Sequence, residues 1–117
     1  SHAFATALSQ QETGENQLYT AQMLGEIAQS GAVADGVNVQ QVRDMAIAGY
    51  RATLDYFPSS VSYLADGKTF FYVDVLAYQG GVALGSPMTG FALVPGVDGG
   101  QPSVVRTNEY VAPDGGR

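Results

Sequence analysis

The glycine-rich stretch YQGGVALGSPMTGF (78–91) is the first place where this sequence could support chemistry, because four glycines surround Ser86. A phosphate-binding P-loop requires the pattern G-x-x-x-x-G-K-[ST], and a nucleophile elbow requires G-x-S-x-G. The stretch matches neither pattern. A dinucleotide-binding loop must open a helix, and no helix is predicted after this stretch. We therefore predict that it is a turn-rich connection between two strands.

The scarcity of reactive side chains excludes several classes of enzyme. The chain has no cysteine, which excludes a thiolate nucleophile, a disulfide and a cysteine-ligated zinc site. Its single histidine is His2, in a Ser1-His2 start that we interpret as a cloning remnant. Without another histidine, a Ser-His-Asp triad is excluded. We expect no catalytic residue, no cofactor and no metal site, and a non-enzymatic role is favoured.

Asp74 is the acidic residue that we consider the best candidate for a role in binding or catalysis. It lies in KTFFYVDVLAY (68–78), which reads as a strand that places Tyr72, Asp74 and Tyr78 on one face. A partly desolvated carboxyl can have a raised pKa and serve as a general acid or base. The structural alternatives are an ion pair with Arg51 or Arg106, or exposure on a solvated face.

Tyrosine is the most abundant aromatic residue, with seven copies and no tryptophan. Tyr63 is predicted to share a sheet face with Tyr72 and Tyr78, an arrangement suited to a protein contact or to stacking on a flat ligand. Half-buried tyrosines in ordinary sheet packing are the alternative. Tyr63, Tyr72, Asp74 and Tyr78 are our candidate ligand- or partner-binding residues.

Four Asp-Gly pairs, at 35–36, 66–67, 98–99 and 114–115, mark turns. Calcium needs several oxygens from alternating positions, whereas each of these aspartates stands alone in its loop. The aspartate instead bonds its own backbone while the glycine takes a positive φ. We predict turns at these positions.

The charge balance restricts the partners. Eleven acidic residues outnumber five basic ones, giving a net charge of −6, and the basic residues are scattered. Nucleic-acid binding needs a basic surface, and so does attraction to an anionic membrane. No apolar run approaches the roughly 20 residues that span a bilayer. We expect no nucleic-acid binding and no membrane insertion, and the acidic balance favours either solubility or a basic partner.

Two helices are predicted to precede the strands. The first covers 3–30, with a capping-box spacing at Ser9–Glu12 and a weak point near Thr13 and Gly14. The second begins after the N-cap Asn38 and ends before Pro58. Gly49 inside it indicates close packing or a bend.

Four strands follow, at 60–65, 68–78, 88–95 and 102–112. We predict an α+β fold in which the two N-terminal helices pack on one face of a four-stranded antiparallel, meander-like sheet. Residues 3–112 are expected to form a single domain, and 113–117 a flexible tail.

Two functional hypotheses follow from these observations. The favoured one is a non-enzymatic protein-interaction or assembly domain of an exported or envelope-associated bacterial protein, located in the periplasm or at the cell surface. Its partner is another protein or a second copy of the chain. The alternative is a small-ligand-binding or cofactor-free enzyme domain with a Tyr/Asp-lined pocket, which resembles cystatin-like and NTF2-like architectures in element order alone. A pilin-like subunit, with a helix first and a sheet after it, is a third hypothesis.

Overall fold

The computed structural model of this protein describes residues 2–30, 36, 38–57 and 61–112, with side chains in the first helix described from Gly14 onward. The elements, in chain order, are α1 (His2–Ser30), α2 (Val39–Tyr56), β1 (Val61–Tyr63), β2 (Phe70–Tyr72), α3 (Val73–Ala83), β3 (Phe91–Val94) and β4 (Ser103–Arg106). The α+β class and the two N-terminal helices are confirmed. The predicted tail at 113–117 lies outside the described residues.

α1 and α2 form an antiparallel pair whose contact depends on small residues. Gly14 lies against the ring of Phe57 at one end, and Gly25 lies against Ala46 toward the other. Between them, a Cβ added to Gly49 would lie 2.9 Å from the Cβ of Ala21. The prediction that Gly49 marks close packing is confirmed, because a larger residue would force the helices apart.

The ends of α2 follow the local signals. The Asn38 side chain accepts a hydrogen bond from the Gln40 backbone N–H at 2.8 Å, which confirms it as the N-cap. The backbone N–H of Phe57 bonds the Thr53 carbonyl at the other end. The helix does not break at the weak point near Thr13 and Gly14, because α1 continues through it as one helix.

The predicted strand 68–78 is the main correction. The chain is extended only from Phe70 to Tyr72 and then turns directly into α3. A short apolar run has the same pattern in a buried strand and in a buried helix, so periodicity does not separate them. α3 packs against α1 and α2 and against strands as well, which explains why its sequence has no polar face.

The single four-stranded sheet is therefore replaced by two separate hairpins. β1 pairs antiparallel with β2 in the register Val61↔Tyr72, and β3 pairs with β4 in the register Phe91↔Arg106. α3 stands between the two hairpins along the chain, so the strands do not continue into one meander.

Both hairpin turns contain a predicted Asp-Gly pair. Asp66 accepts bonds from the backbone N–H groups of Lys68 and Thr69 and from the Thr69 hydroxyl. Gly67 has φ +70°, as a turn requires. In the second hairpin, Asp98 and Gly99 both have positive φ. The turn prediction is confirmed at these two pairs, while Asp35 and the pair at 114–115 lie outside the described residues.

The core lies where the three helices meet, with the second hairpin packed beside it. The buried cluster contains Leu18, Ala21, Ala46, Tyr50, Leu54, Val73, Ala77, Leu84, Met88 and Phe91. Because α3 supplies Val73 and Ala77 to this cluster, its conformation decides how the other elements are arranged.

Candidate functional site

The first half of the glycine-rich stretch is helical, and its glycines serve packing and capping. Gly80 and Gly81 lie in the last turns of α3. Gly85 has φ +95°, its N–H bonds the Val82 carbonyl, and the next N–H, of Ser86, bonds the Gly81 carbonyl. This is the hydrogen-bond pattern of a Schellman cap, in which a left-handed residue ends a helix. The prediction of a simple strand connection is corrected accordingly.

Gly80 and Gly81 each leave room for one large side chain. A Cβ at Gly80 would lie closer than 3.0 Å to three ring atoms of Tyr50, and one at Gly81 equally close to the sulfur of Met88. Met88 is 1% exposed and has φ +48°, a strained conformation for a residue other than glycine. We infer that the packing of its side chain against Gly81 holds it in this conformation. The two glycines therefore hold Tyr50 and Met88 against α3.

Tyr50 also forms part of a cavity at the junction of the three helices. The cavity has a volume of about 260 Å³, and its lining residues are Gln22, Gly25, Glu26, Gln29, Tyr50, Gly80, Ala83 and Leu84. The first four lie along one side of α1, while α3 supplies the apolar wall. A Cβ at Gly25 would lie 3.6 Å from the Tyr50 hydroxyl, which places that hydroxyl beside the α1 side of the cavity.

The electrostatics of the cavity are dominated by one acid. Among the described lining residues, Glu26 is the sole charged side chain, and the two glutamines add amide dipoles. Burial, and to a smaller extent the negative charge of Glu26, raise the pKa of the Tyr50 hydroxyl. The phenol is therefore neutral near pH 7, and the lining offers acceptor oxygens from Glu26, the two glutamines and Tyr50 together with the amide donors of the glutamines.

Two of the four predicted site residues lie together on the first hairpin. Tyr63 and Phe70 are directly opposite each other, with ring centroids 6.0 Å apart, and Phe70 meets Tyr72 edge-on at 5.6 Å. Ser62, with its side chain on the opposite face, is buried. We call Tyr63, Phe70 and Tyr72 the aromatic surface. Phe70 was not among the predicted site residues, although the alternation of the predicted strand places it on the same face as Tyr72.

The other two predicted residues, Asp74 and Tyr78, lie on α3. They are four residues apart and so share one side of the helix. Asp74 is 4% exposed, which agrees with the expected desolvation, and it occupies the first turn, where the helix dipole favours a negative charge. The single tyrosine-bearing sheet face is therefore divided between a hairpin and a helix. A binding role for the four residues stays a prediction.

The two arginines considered as partners of Asp74 have described contacts with α2 and with the second hairpin. Arg51 Nε lies 3.6 Å from Asp55 Oδ1, and its guanidinium covers the Phe91 ring at 4.7 Å. Arg106 donates to the Asp55 carbonyl at 3.3 Å. The Arg51–Asp55 pair lies within α2, whereas the contacts with Phe91 and from Arg106 join α2 to the second hairpin, so we assign all of them to the fold rather than to a binding site.

Sequence reasoning missed the cavity. Gln22, Glu26 and Gln29 follow the i, i+4, i+7 spacing of one helix side, which was a readable polar stripe. Nothing in the sequence, however, indicated that α3 would be a helix, and without α3 the stripe has no opposite wall. The site depends on a contact between distant parts of the chain.

In the described part of the chain, no three histidine, aspartate or glutamate residues are grouped as a metal ion would require. None of the described helices has the length and apolar character needed to cross a membrane. Comparison with protein-family models, with curated proteins and with solved structures gives no match. Functional inference therefore rests on the geometry of the molecule itself.

Proposed function

We propose that this chain is a protein-interaction or assembly domain that contacts its partner through the aromatic surface. The observation that supports this most is the exposure of Tyr63, which is 54% exposed although its ring contacts Phe70. The neighbouring Leu64 is 50% exposed. Rigid aromatic side chains held on a strand lose little conformational freedom when they are covered, which is why tyrosine is frequent at protein interfaces.

We infer that the partner is a different protein with a positively charged surface. The net charge of −6 opposes the approach of a second copy and attracts a basic protein. Interfacial charge mainly raises the association rate, while the aromatic residues would supply the binding energy. Added salt should therefore slow association more than it speeds dissociation.

We also infer that the domain belongs to an exported or envelope-associated bacterial protein and acts outside the cytoplasm. The supporting observation is compositional, namely a single lysine in a chain rich in alanine, glycine, glutamine and serine. Fractionation of cells that express the native gene would test this, and a purely cytoplasmic location would contradict it.

The interaction is tested by comparing two tyrosines of nearly equal exposure. Tyr63 is 54% exposed on the aromatic surface, and Tyr56 is 56% exposed at the end of α2. For Tyr63→Ala we expect partner affinity, measured by biolayer interferometry with the partner identified from native extract, to fall about tenfold or more. Tyr56→Ala should change it less than about twofold.

Two outcomes would contradict the proposal. One is equal affinity loss in both variants, since the aromatic surface would then have no special part. The other is a chain that captures no partner, or a homodimer seen by light scattering whose assembly is unaffected by Tyr63→Ala. Circular dichroism of each variant separates loss of binding from loss of folding.

A second candidate function, binding of a small ligand, is supported by the cavity beside Tyr50. The described residues that line this cavity do not include Tyr72, Asp74 or Tyr78. The cavity is therefore a different site from the Tyr/Asp-lined pocket predicted from the sequence.

A further inference from the structure

We propose that the cavity between α1, α2 and α3 binds a small primary alkylammonium group, with Glu26 as its counter-ion. This inference deepens the second candidate function and does not depend on the aromatic surface. It concerns the chemistry of the ligand, which follows from the kinds of atoms that line the cavity.

The polar side of the cavity offers acceptors that suit an ammonium. Gln22, Glu26 and Gln29 bring a carboxylate and two amide carbonyl oxygens from one side of α1, and Tyr50 brings a hydroxyl. An ammonium has three N–H donors and no acceptor, so it can use such a set at once. Since Glu26 is the sole charged group among the described lining residues, an anion would be repelled.

The Tyr50 hydroxyl is the fixed part of this site. Tyr50 is 5% exposed, and its ring is held between α3 and α1 by the close approach of Gly80 and Gly25. The hydroxyl oxygen lies beside Gly25 on the α1 side of the cavity, where a bound ammonium would donate a hydrogen bond to it.

The apolar wall and the size limit the rest of the ligand. Gly80, Ala83 and Leu84, from α3 and its C-cap, supply the apolar part of the lining, so a short alkyl chain would cover apolar atoms while the ammonium faces α1. A volume of about 260 Å³ lies just below the usual range of ligand pockets. The ligand class is therefore a compact aliphatic amine rather than a nucleotide or an extended peptide.

The test uses n-butylammonium as the probe and backbone amide chemical shifts of the full chain as the readout. We expect saturable shifts at Gly25, Gly80 and Ala83 with a Kd of about 1–10 mM, since so small a probe cannot bind tightly. At the same salt concentration, n-butanol should bind at least about fivefold more weakly because it lacks the charge. Butyrate should give no saturable shift.

Variants then assign the contacts. Glu26 is exposed, so Glu26→Gln should leave the fold intact while weakening n-butylammonium binding about tenfold. Tyr50→Phe keeps the ring against Gly80 and should weaken it about threefold. Glu109→Gln removes the same charge from an exposed turn outside the cavity, and we expect a change below about twofold.

The proposal is overturned if no saturable shift occurs at the cavity residues, or if n-butanol binds as tightly as n-butylammonium. It is also overturned if Glu26→Gln and Glu109→Gln weaken binding equally, because that result would mean general charge attraction. None of these outcomes bears on the aromatic surface, whose test uses Tyr63 and a protein partner.

Discussion

At the scale of single residues, Tyr50 links packing to the cavity. Its ring lies against Gly80, while its hydroxyl lies beside Gly25 and the acid of Glu26. Burial raises the pKa of this hydroxyl, and the negative charge of Glu26 raises it further. The folded protein therefore holds the phenolic proton more tightly than the unfolded chain does.

This difference predicts a loss of stability in alkali. Below about pH 10, the ordinary pKa of tyrosine, both states keep the proton and the stabilising contribution is complete. As the pH rises above about 10 and through the higher pKa of the folded state, the unfolded chain releases the phenolic proton first. This release stabilises the unfolded state relative to the folded state. Urea unfolding from pH 8 to 11 should show the unfolding free energy falling, and Tyr50→Phe should fall less steeply. Equal slopes for both proteins would contradict the burial effect.

At the scale of elements, α3 shows how tertiary packing chooses between helix and strand. The residues of VDVLAY are rich in valine, with one tyrosine, and favour a strand by local propensity. In the fold, Val73, Val75 and Ala77 are buried on a helix that packs against two others. Contacts from several sides outweigh a local preference that amounts to only about 1 kcal/mol per residue.

The packing of α3 is tested by two glycine substitutions in helices. Gly80→Ala should destabilise the protein by about 1–3 kcal/mol, because its Cβ would overlap the Tyr50 ring. At Gly25 the nearest atom would be 3.5 Å away, an ordinary contact. Gly25→Ala should therefore be neutral or stabilise by about 0.5–1 kcal/mol, through the higher helix propensity of alanine. Chemical denaturation measures both, and a destabilisation of similar size at both positions would mean that α3 does not pack on Tyr50.

At the scale of the whole molecule, two arginines join the second hairpin to α2. Arg51 donates to the Thr89 carbonyl and covers the Phe91 ring, while Arg106 donates to the Asp55 carbonyl and covers the Tyr110 ring at 4.3 Å. The rings of Phe91 and Tyr110 themselves meet edge-on, with centroids 5.2 Å apart. The hairpin is thus attached through alternating cations and rings.

Removal of one of these cations should loosen the hairpin. Arg51→Met keeps most of the aliphatic volume but loses the cation–π contact and the hydrogen bond, so we expect about 1–2 kcal/mol of destabilisation. Lys68→Met removes an exposed positive charge from the first hairpin and should stay within about 0.5 kcal/mol of the parent. Thermal unfolding with hydrogen exchange at Phe91 and Val104 checks this. An unchanged exchange rate in Arg51→Met would contradict the attachment.

Structural features that depend on residues close together in the chain could be predicted from the sequence. Asn38 caps α2 with a bond two residues away, and the Asp66-Gly67 turn is closed by bonds to residues 68 and 69. The buried stripe of α1 was readable as well, since Leu18, Ala21 and Ala28 follow helical spacing. The face shared by Tyr63 and Tyr72 was also correct, because it required only the hairpin register.

What the sequence determined by itself is therefore the α+β class, the two N-terminal helices, the two described hairpin turns and the absence of cysteine. The tertiary structure alone decided that the segment after Tyr72 is helical, which separates the strands into two hairpins and places Asp74 and Tyr78 on a helix instead of the strand that carries Tyr72. It also created the cavity, whose walls come from three helices. The physical reason is the distance along the chain over which the interactions act. Helix caps and turns are stabilised by hydrogen bonds between residues a few positions apart, whereas burial depends on which distant segments surround a residue.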